Sequence, residues 1–139
     1  MRLHGKTARS GKWWLVEIPI LDVETQGRTK KEALLMAAAL VESLVGTTEF
    51  SVTVHPGKGS DFELSASDTR LLVALLLKRQ RQKSGLTLAQ AAKRLGARSR
   101  NAYARYEQGV SVPTVEKLND LLLAVGAERD FVIRESCVA

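Results

Sequence analysis

Covalent and metal-bound chemistry has little material in this chain. There is one cysteine, Cys137, in 139 residues, so no internal disulfide can form. With only two histidines, His4 and His55, no Cys/His set has the spacing of a zinc site. A reducing cytoplasm is the expected home, and Cys137, close to the chain end, is expected to be inert. No apolar run is long enough to span a bilayer, and the opening MRLHGKTARSGKWW lacks the apolar core of a signal peptide, so no membrane partner is expected. Catalytic sets are missing too. Two-metal nuclease chemistry needs several converging carboxylates. Glu17, Asp22 and Glu24 lie close together, but no matching acid stands centrally in the strand-like segments Arg2–Ala8 or Phe50–His55. His4 and His55 have no Ser/Asp or Cys arrangement beside them and read as surface strand residues. The run PGKGS at 56–60 lacks both the spacing and the following helix of a phosphate loop. The expectation is a protein that is not an enzyme and needs no cofactor.

The most telling absence is of negative charge. Between Thr69 and Tyr106 there are ten Lys/Arg and no carboxylate. Residues 1–65 balance eight basic against eight acidic side chains, whereas residues 66–139 carry thirteen against seven and so hold the whole net charge of +6. A solvated helix usually interleaves signs for intrahelical pairing. A one-signed run repels itself and seeks a polyanion.

Two short helical patterns occupy that run. In Thr87–Leu95, alanines and leucines recur at three- and four-residue spacing behind a hydroxyl N-cap, Thr87. Gly96 suits a helix C-terminus because it can take positive φ without a Cβ penalty. Ser99 offers a fresh N-cap to a second helix, Arg100–Gln108, which Gly109 stops. Ala92 is small where the first helix must approach the second. Tyr103 and Tyr106, three apart, can turn to the core together, which leaves Arg100, Asn101 and Arg105 facing outward. Arginine and asparagine can read guanine and adenine edges through paired hydrogen bonds. Thr87, Arg98 and Ser99, near helix N-termini, are candidates for phosphate contacts. A plain helical hairpin with a solvated basic face would show the same spacing; the missing carboxylates favour DNA.

The marks KRQRQKSGLTLAQAAKRLG, NAYARYEQG and VPTVEKLNDLLLAVG within Leu71–Gly126 resemble the repressor-type (Xre, or phage Cro and repressor) helix-turn-helix family. The resemblance implies an ion pair between Arg81, late in the first helix, and Glu107, just before the closing glycine. The turn Ala97-Arg98-Ser99 is one residue longer than the family's.

The first half reads as strands and one helix. Arg2–Ala8 and Trp13–Ile20 form a hairpin about Ser10-Gly11, with Trp14, Val16 and Ile18 facing one way and Trp13, Leu15 and Glu17 the other. Pro19 cannot donate to a ladder and either sits at an edge or ends the pairing. Leu21–Gln26 adds a short strand before Gly27. Thr29–Val45 is a helix opened by a Thr29/Glu32 capping box, with an apolar stripe of Leu34, Ala37, Ala38, Val41 and Val45. Phe50–His55 and Phe62–Leu64 return as strands, which gives an α+β sandwich, a sheet with a helix on one face. Ser65–Asp68 reads as the hinge between domains 1–65 and 66–139. The run LLVALLL that follows implies burial on several sides, with a second subunit as one way to supply it. Pro113 and Thr114 begin a helix ending at Gly126. Phe131–Arg134 reads as a last strand, pairing either with the first domain or with a partner.

The stretch GKWWLVEIPILDVETQGRTKKEALLMAAALVESL is similar to the HicB antitoxin domain, through Glu17-Ile18-Pro19, Thr25-Gln26-Gly27 and Thr29–Glu32 in that order. A HicB-like domain followed by a repressor-type domain is a known layout of that family. The resemblance implies a small N-terminal sheet-plus-helix domain of truncated ribonuclease H-like fold before the all-α helix-turn-helix domain. It also implies a HicA-like toxin as partner and repression of the shared operon. The residues allow this: Trp13–Gly27 holds Glu17, Asp22 and Glu24 with no Lys or Arg. Such an acidic surface can cover a basic, RNA-holding toxin, with Trp13 as anchor; an ordinary solvated edge is the plainer alternative. The expected function is a type II antitoxin that blocks its toxin and binds double-stranded operator DNA as a homodimer or higher oligomer. The alternative is a repressor whose first domain senses a ligand or serves only dimerisation.

Overall fold

The computed structural model describes residues 1–126, 129–136 and 138. It divides into two compact units: Met1–Thr69 with the described residues among Glu135–Ala139, and Arg70–Arg134. The first is a five-stranded antiparallel sheet with a helix, and the second is helical. The chain is α+β.

In the first unit β1 (Leu3–Ser10), β2 (Trp13–Ile18) and β3 (Val23–Gly27) run as a meander, followed by α1 (Lys30–Val45), β4 (Val52–Pro56) and β5 (Asp61–Ala66). The sheet order is β3-β2-β1-β5-β4. The hairpin turns at Gly11, whose φ of 59° is the left-handed region, so β1 runs two residues further than the expected end at Ala8. β2 stops at Ile18 rather than Ile20 because Pro19 opens a single 3-10 turn, Pro19–Leu21. That turn pushes the start of β3 from Leu21 to Val23. The pleat of β2 follows the expected alternation: Val16 and Ile18 are buried, Trp14 is half-buried, and Trp13, Leu15 and Glu17 are exposed.

Helix α1 is capped by Thr29, whose Oγ1 accepts the Glu32 amide at 3.0 Å. The reciprocal bond of the expected capping box is displaced by one residue, since Glu32 Oε2 accepts from the Arg28 amide at 2.9 Å rather than from Thr29. Ala33, Leu34, Ala37 and Val41 form the buried side of α1, with Ala38 and Val45 only half-covered. Phe50 is buried but precedes the strand, so β4 spans Val52–Pro56 instead of Phe50–His55. Ser65 and Ala66 end β5 and are not hinge residues. After the helical unit, the chain end returns to the sheet: Arg2 Nη1 bonds Glu63 Oε2 at 3.2 Å and the Val138 carbonyl at 3.0 Å, and the Ser136 hydroxyl bonds Glu63.

The second unit comprises α2 (Thr69–Lys83), α3 (Leu88–Arg94), α4 (Arg100–Glu107) and α5 (Val115–Val125). Leu72 through Leu77 are all buried within the single chain, so no second subunit is needed to cover the LLVALLL run. Thr114 caps α5 by accepting the Lys117 amide at 3.1 Å. Phe131–Arg134 is not a strand. Its residues pair with no ladder, and Val132 and Ile133 are almost wholly exposed. Cys137 lies outside the described residues.

Candidate nucleic-acid interface

Local bonding fixes the two helices that carry the basic residues. Thr87 Oγ1 accepts the Gln90 amide at 3.1 Å, and Gln90 Oε1 accepts the Thr87 amide at 2.9 Å. This reciprocal capping box satisfies two otherwise orphan donors at the start of α3. Gln90 completes the expected Thr87 cap, and Thr-x-x-Gln is the signature of such a pair. Ala91 and Ala92 are both buried where α3 meets α4, so the helices pack closely through small side chains. Gly96 then takes φ 76°, and the Ala97 amide bonds back to the Ala92 carbonyl at 2.9 Å.

Ser99 occupies the N-cap of α4 in extended conformation, but its hydroxyl makes no cap bond to the helix. The tight turn before it leaves the capping to the Ser99 carbonyl, which accepts the Ala102 amide at 3.2 Å. The helix ends at Glu107, one residue short of Gln108, before Gly109 at φ 69°. Tyr103 is fully buried and Ala104 nearly so, while Tyr106 is only half-buried, so the two tyrosines do not share the core equally. With Tyr103 inward, Arg100, Asn101 and Arg105 are exposed, as are Arg98, Ser99 and Thr87. Lys93 and Arg94 of α3 are exposed as well. The Arg105 Nε donates to Ser111 Oγ at 3.3 Å, a tether from the following loop that no spacing rule points to.

An ion pair holds α4 to α2. Arg81 Nε and Nη2 meet Glu107 Oε1 and Oε2 at 2.6 and 3.1 Å, and Arg81 Nη1 also reaches the Leu86 carbonyl at 2.9 Å. This is the pair that the repressor-type resemblance implied. The hydrogen bond to Glu107 raises the Arg81 pKa further above its high ordinary value, against the opposing effect of burial. A second tie joins Arg70 Nη1 to the Gly109 carbonyl at 2.7 Å. The outward arginines thus stand on a helix fixed at its inner face.

Residues 72–132 match a family model described as a helix-turn-helix domain. The second unit carries a helix-turn-helix. The match supports DNA binding and transcription regulation by that unit, and such domains are typically non-enzymatic. No curated protein matches the chain.

The residues singled out in the first unit lie on β2, β3 and the turn between them. Glu17, Asp22 and Glu24 line one open recess of about 280 Å³ with Pro19 and Val23. Glu17 and Glu24 stand directly opposite each other across the β2–β3 ladder, a like-charge pairing that costs stability. Asp22 is held at φ 53°, the one non-glycine residue with positive φ among the described residues. Trp13 does not line the recess; it is partly exposed, with the Arg28 guanidinium 5.7 Å from its ring centre. Among the described residues, no group of His, Cys, Asp and Glu could hold a metal ion. No helix among them is long and apolar enough to cross a membrane.

Proposed function

We propose that the protein is an antitoxin-type regulator with two binding surfaces. Its helix-turn-helix binds operator DNA, with Arg100, Asn101 and Arg105 reading base edges and Thr87, Arg98 and Ser99 contacting phosphates. Its first unit, a HicB-like domain related to ribonuclease H, binds a basic HicA-like toxin ribonuclease through Glu17, Asp22 and Glu24, with Trp13, at the other end of β2, as an anchor. The observation that carries the DNA half is the exposure of Lys93, Arg94, Arg98, Arg100 and Arg105 on α3, α4 and their turn, within a run from Thr69 to Tyr106 that contains no carboxylate. The toxin half is supported by three carboxylates kept around one recess despite the repulsion between Glu17 and Glu24.

Repressor-type domains read half-sites about 34 Å apart, so the operator is a palindrome. The test is a binding titration on the upstream region of the chain's own operon at several salt concentrations. A log–log slope near −0.9 per neutralised phosphate is expected, and Arg100→Ala with Asn101→Ala should abolish preference for the palindrome. Binding that ignores salt would refute the DNA reading. Co-expression with the adjacent small basic gene tests the other half: failure of the intact chain to retain or inhibit its product removes the toxin and leaves the regulator.

A further inference from the structure

The loop that closes α4 is built around Arg105. The Arg105 carbonyl accepts both the Val110 amide at 3.0 Å and the Ser111 amide at 3.2 Å. Arg70 Nη1 of α2 holds the Gly109 carbonyl at 2.7 Å, and Gly109 itself takes φ 69°. Bonds to backbone atoms therefore fix where Ser111 stands, whatever its side chain. From that place its Oγ accepts the Nε–H of the exposed Arg105 at 3.3 Å. A guanidinium carries five N–H donors, one on Nε and the rest on Nη1 and Nη2. With Nε engaged, the edge formed by Nε and one Nη is closed to a ligand. The outer edge, one donor from each Nη, stays open, and among the described residues neither Nη has a hydrogen-bond partner.

Resting on the proposed DNA reading of Arg105, we propose that Ser111 is a positioning residue. It presents this outer edge of Arg105 to a guanine in each operator half-site. Two parallel donors match the O6 and N7 acceptors that guanine shows in the major groove, whereas adenine sets a donor beside its N7. An untied arginine loses rotamer freedom when it binds. One already held at Nε loses less, and has fewer ways to settle on a phosphate instead. Asn101 stands one turn back on the same exposed side of α4, and its amide suits adenine rather than guanine. Ser111 thus sets the base preference of Arg105 without itself reading a base.

The full-length chain tests it by selection from a randomised duplex library, with circular dichroism as the folding control. The wild type should select a guanine at one position of each half-site, and Arg105→Ala should lower that preference about tenfold or more. Ser111→Ala should lower it roughly three- to tenfold at the same position only. Its melting curve should be unchanged, because both amide bonds to the Arg105 carbonyl remain. Ser111→Thr keeps the hydroxyl and should select as the wild type does. Unchanged selection by Ser111→Ala would overturn the proposal, as would a loss spread evenly over all positions, which marks a structural role alone. So would a guanine preference that survives Arg105→Ala while a defined sequence is still bound. Selection of no sequence by the wild type would refute the DNA reading itself, and this proposal with it.

Discussion

Two side chains around Arg81 decide how firmly α4 is held. Arg81 and Glu107 keep only 13% and 7% of their side-chain surface exposed, and the guanidinium spends two donors on one carboxylate. Glu107→Ala would leave a largely covered cation without its partner, so the expected loss in denaturant titrations is about 3–5 kcal/mol. Glu107→Gln should lose less. Tyr103 is the counter-case. Its hydroxyl is buried and no partner meets hydrogen-bonding geometry, although Glu107 and Arg81 act on it electrostatically. Tyr103→Phe should therefore leave stability at neutral pH within about 1 kcal/mol or raise it. Burial first, and then the Glu107 carboxylate, raise the phenol above its ordinary value of 10.0. A pKa raised by folding contributes stability that is complete below the unfolded value and is lost as pH climbs through the folded one. Above about pH 10 the wild type should lose stability more steeply than Tyr103→Phe, a difference readable from paired alkaline denaturation curves.

At the scale of elements, close backbone approach sets what can change. A Cβ on Gly27 would lie 2.5 Å from the Ala33 amide nitrogen and 2.8 Å from its Cα, so the end of β3 meets the first turn of α1 with nothing between. Backbone cannot swing aside as a flexible side chain can. Gly27→Ala should cost at least about 1–3 kcal/mol by the measure of overpacked cores and lower the melting temperature of the first unit. The same elements show what could be read in advance. The alternation of Val16 and Ile18 against Leu15 and Glu17, the Thr29 cap, and the glycines closing α3 and α4 are local rules, and they fixed element type almost everywhere. Misplaced ends have a common cause. The Pro19 turn, the early burial of Phe50 and the one-residue shift of the Glu32 bond depend on what lies across the sheet, which no local pattern carries. Phe131–Arg134 has strand composition but joins no ladder, and composition alone does not make one. The reach of Arg105 to Ser111 depends on the path of a loop, so the candidate reading face was legible in its residues but not in its tethers.

Across the whole molecule the charge is partitioned rather than blended. The acidic recess and the cationic helices lie on different compact units, and each is formed by residues close in sequence. On the proposed function, one unit meets a basic protein and the other a polyanion. The two proposed binding functions should then separate by mutation. Replacing Glu17, Asp22 and Glu24 together with glutamines should abolish retention of a basic toxin and leave the affinity for operator DNA, and its salt slope, unchanged. The same variant should be no less stable than the wild type in thermal melts, because the Glu17–Glu24 repulsion is worth roughly 0.2–1 kcal/mol on the scale of cross-strand pairs. Arg100→Ala with Asn101→Ala should give the reverse: toxin retained, operator preference lost. A glutamine variant that still holds the toxin would move the protein contact off the recess, and one that loses DNA as well would mean that the two units do not act independently.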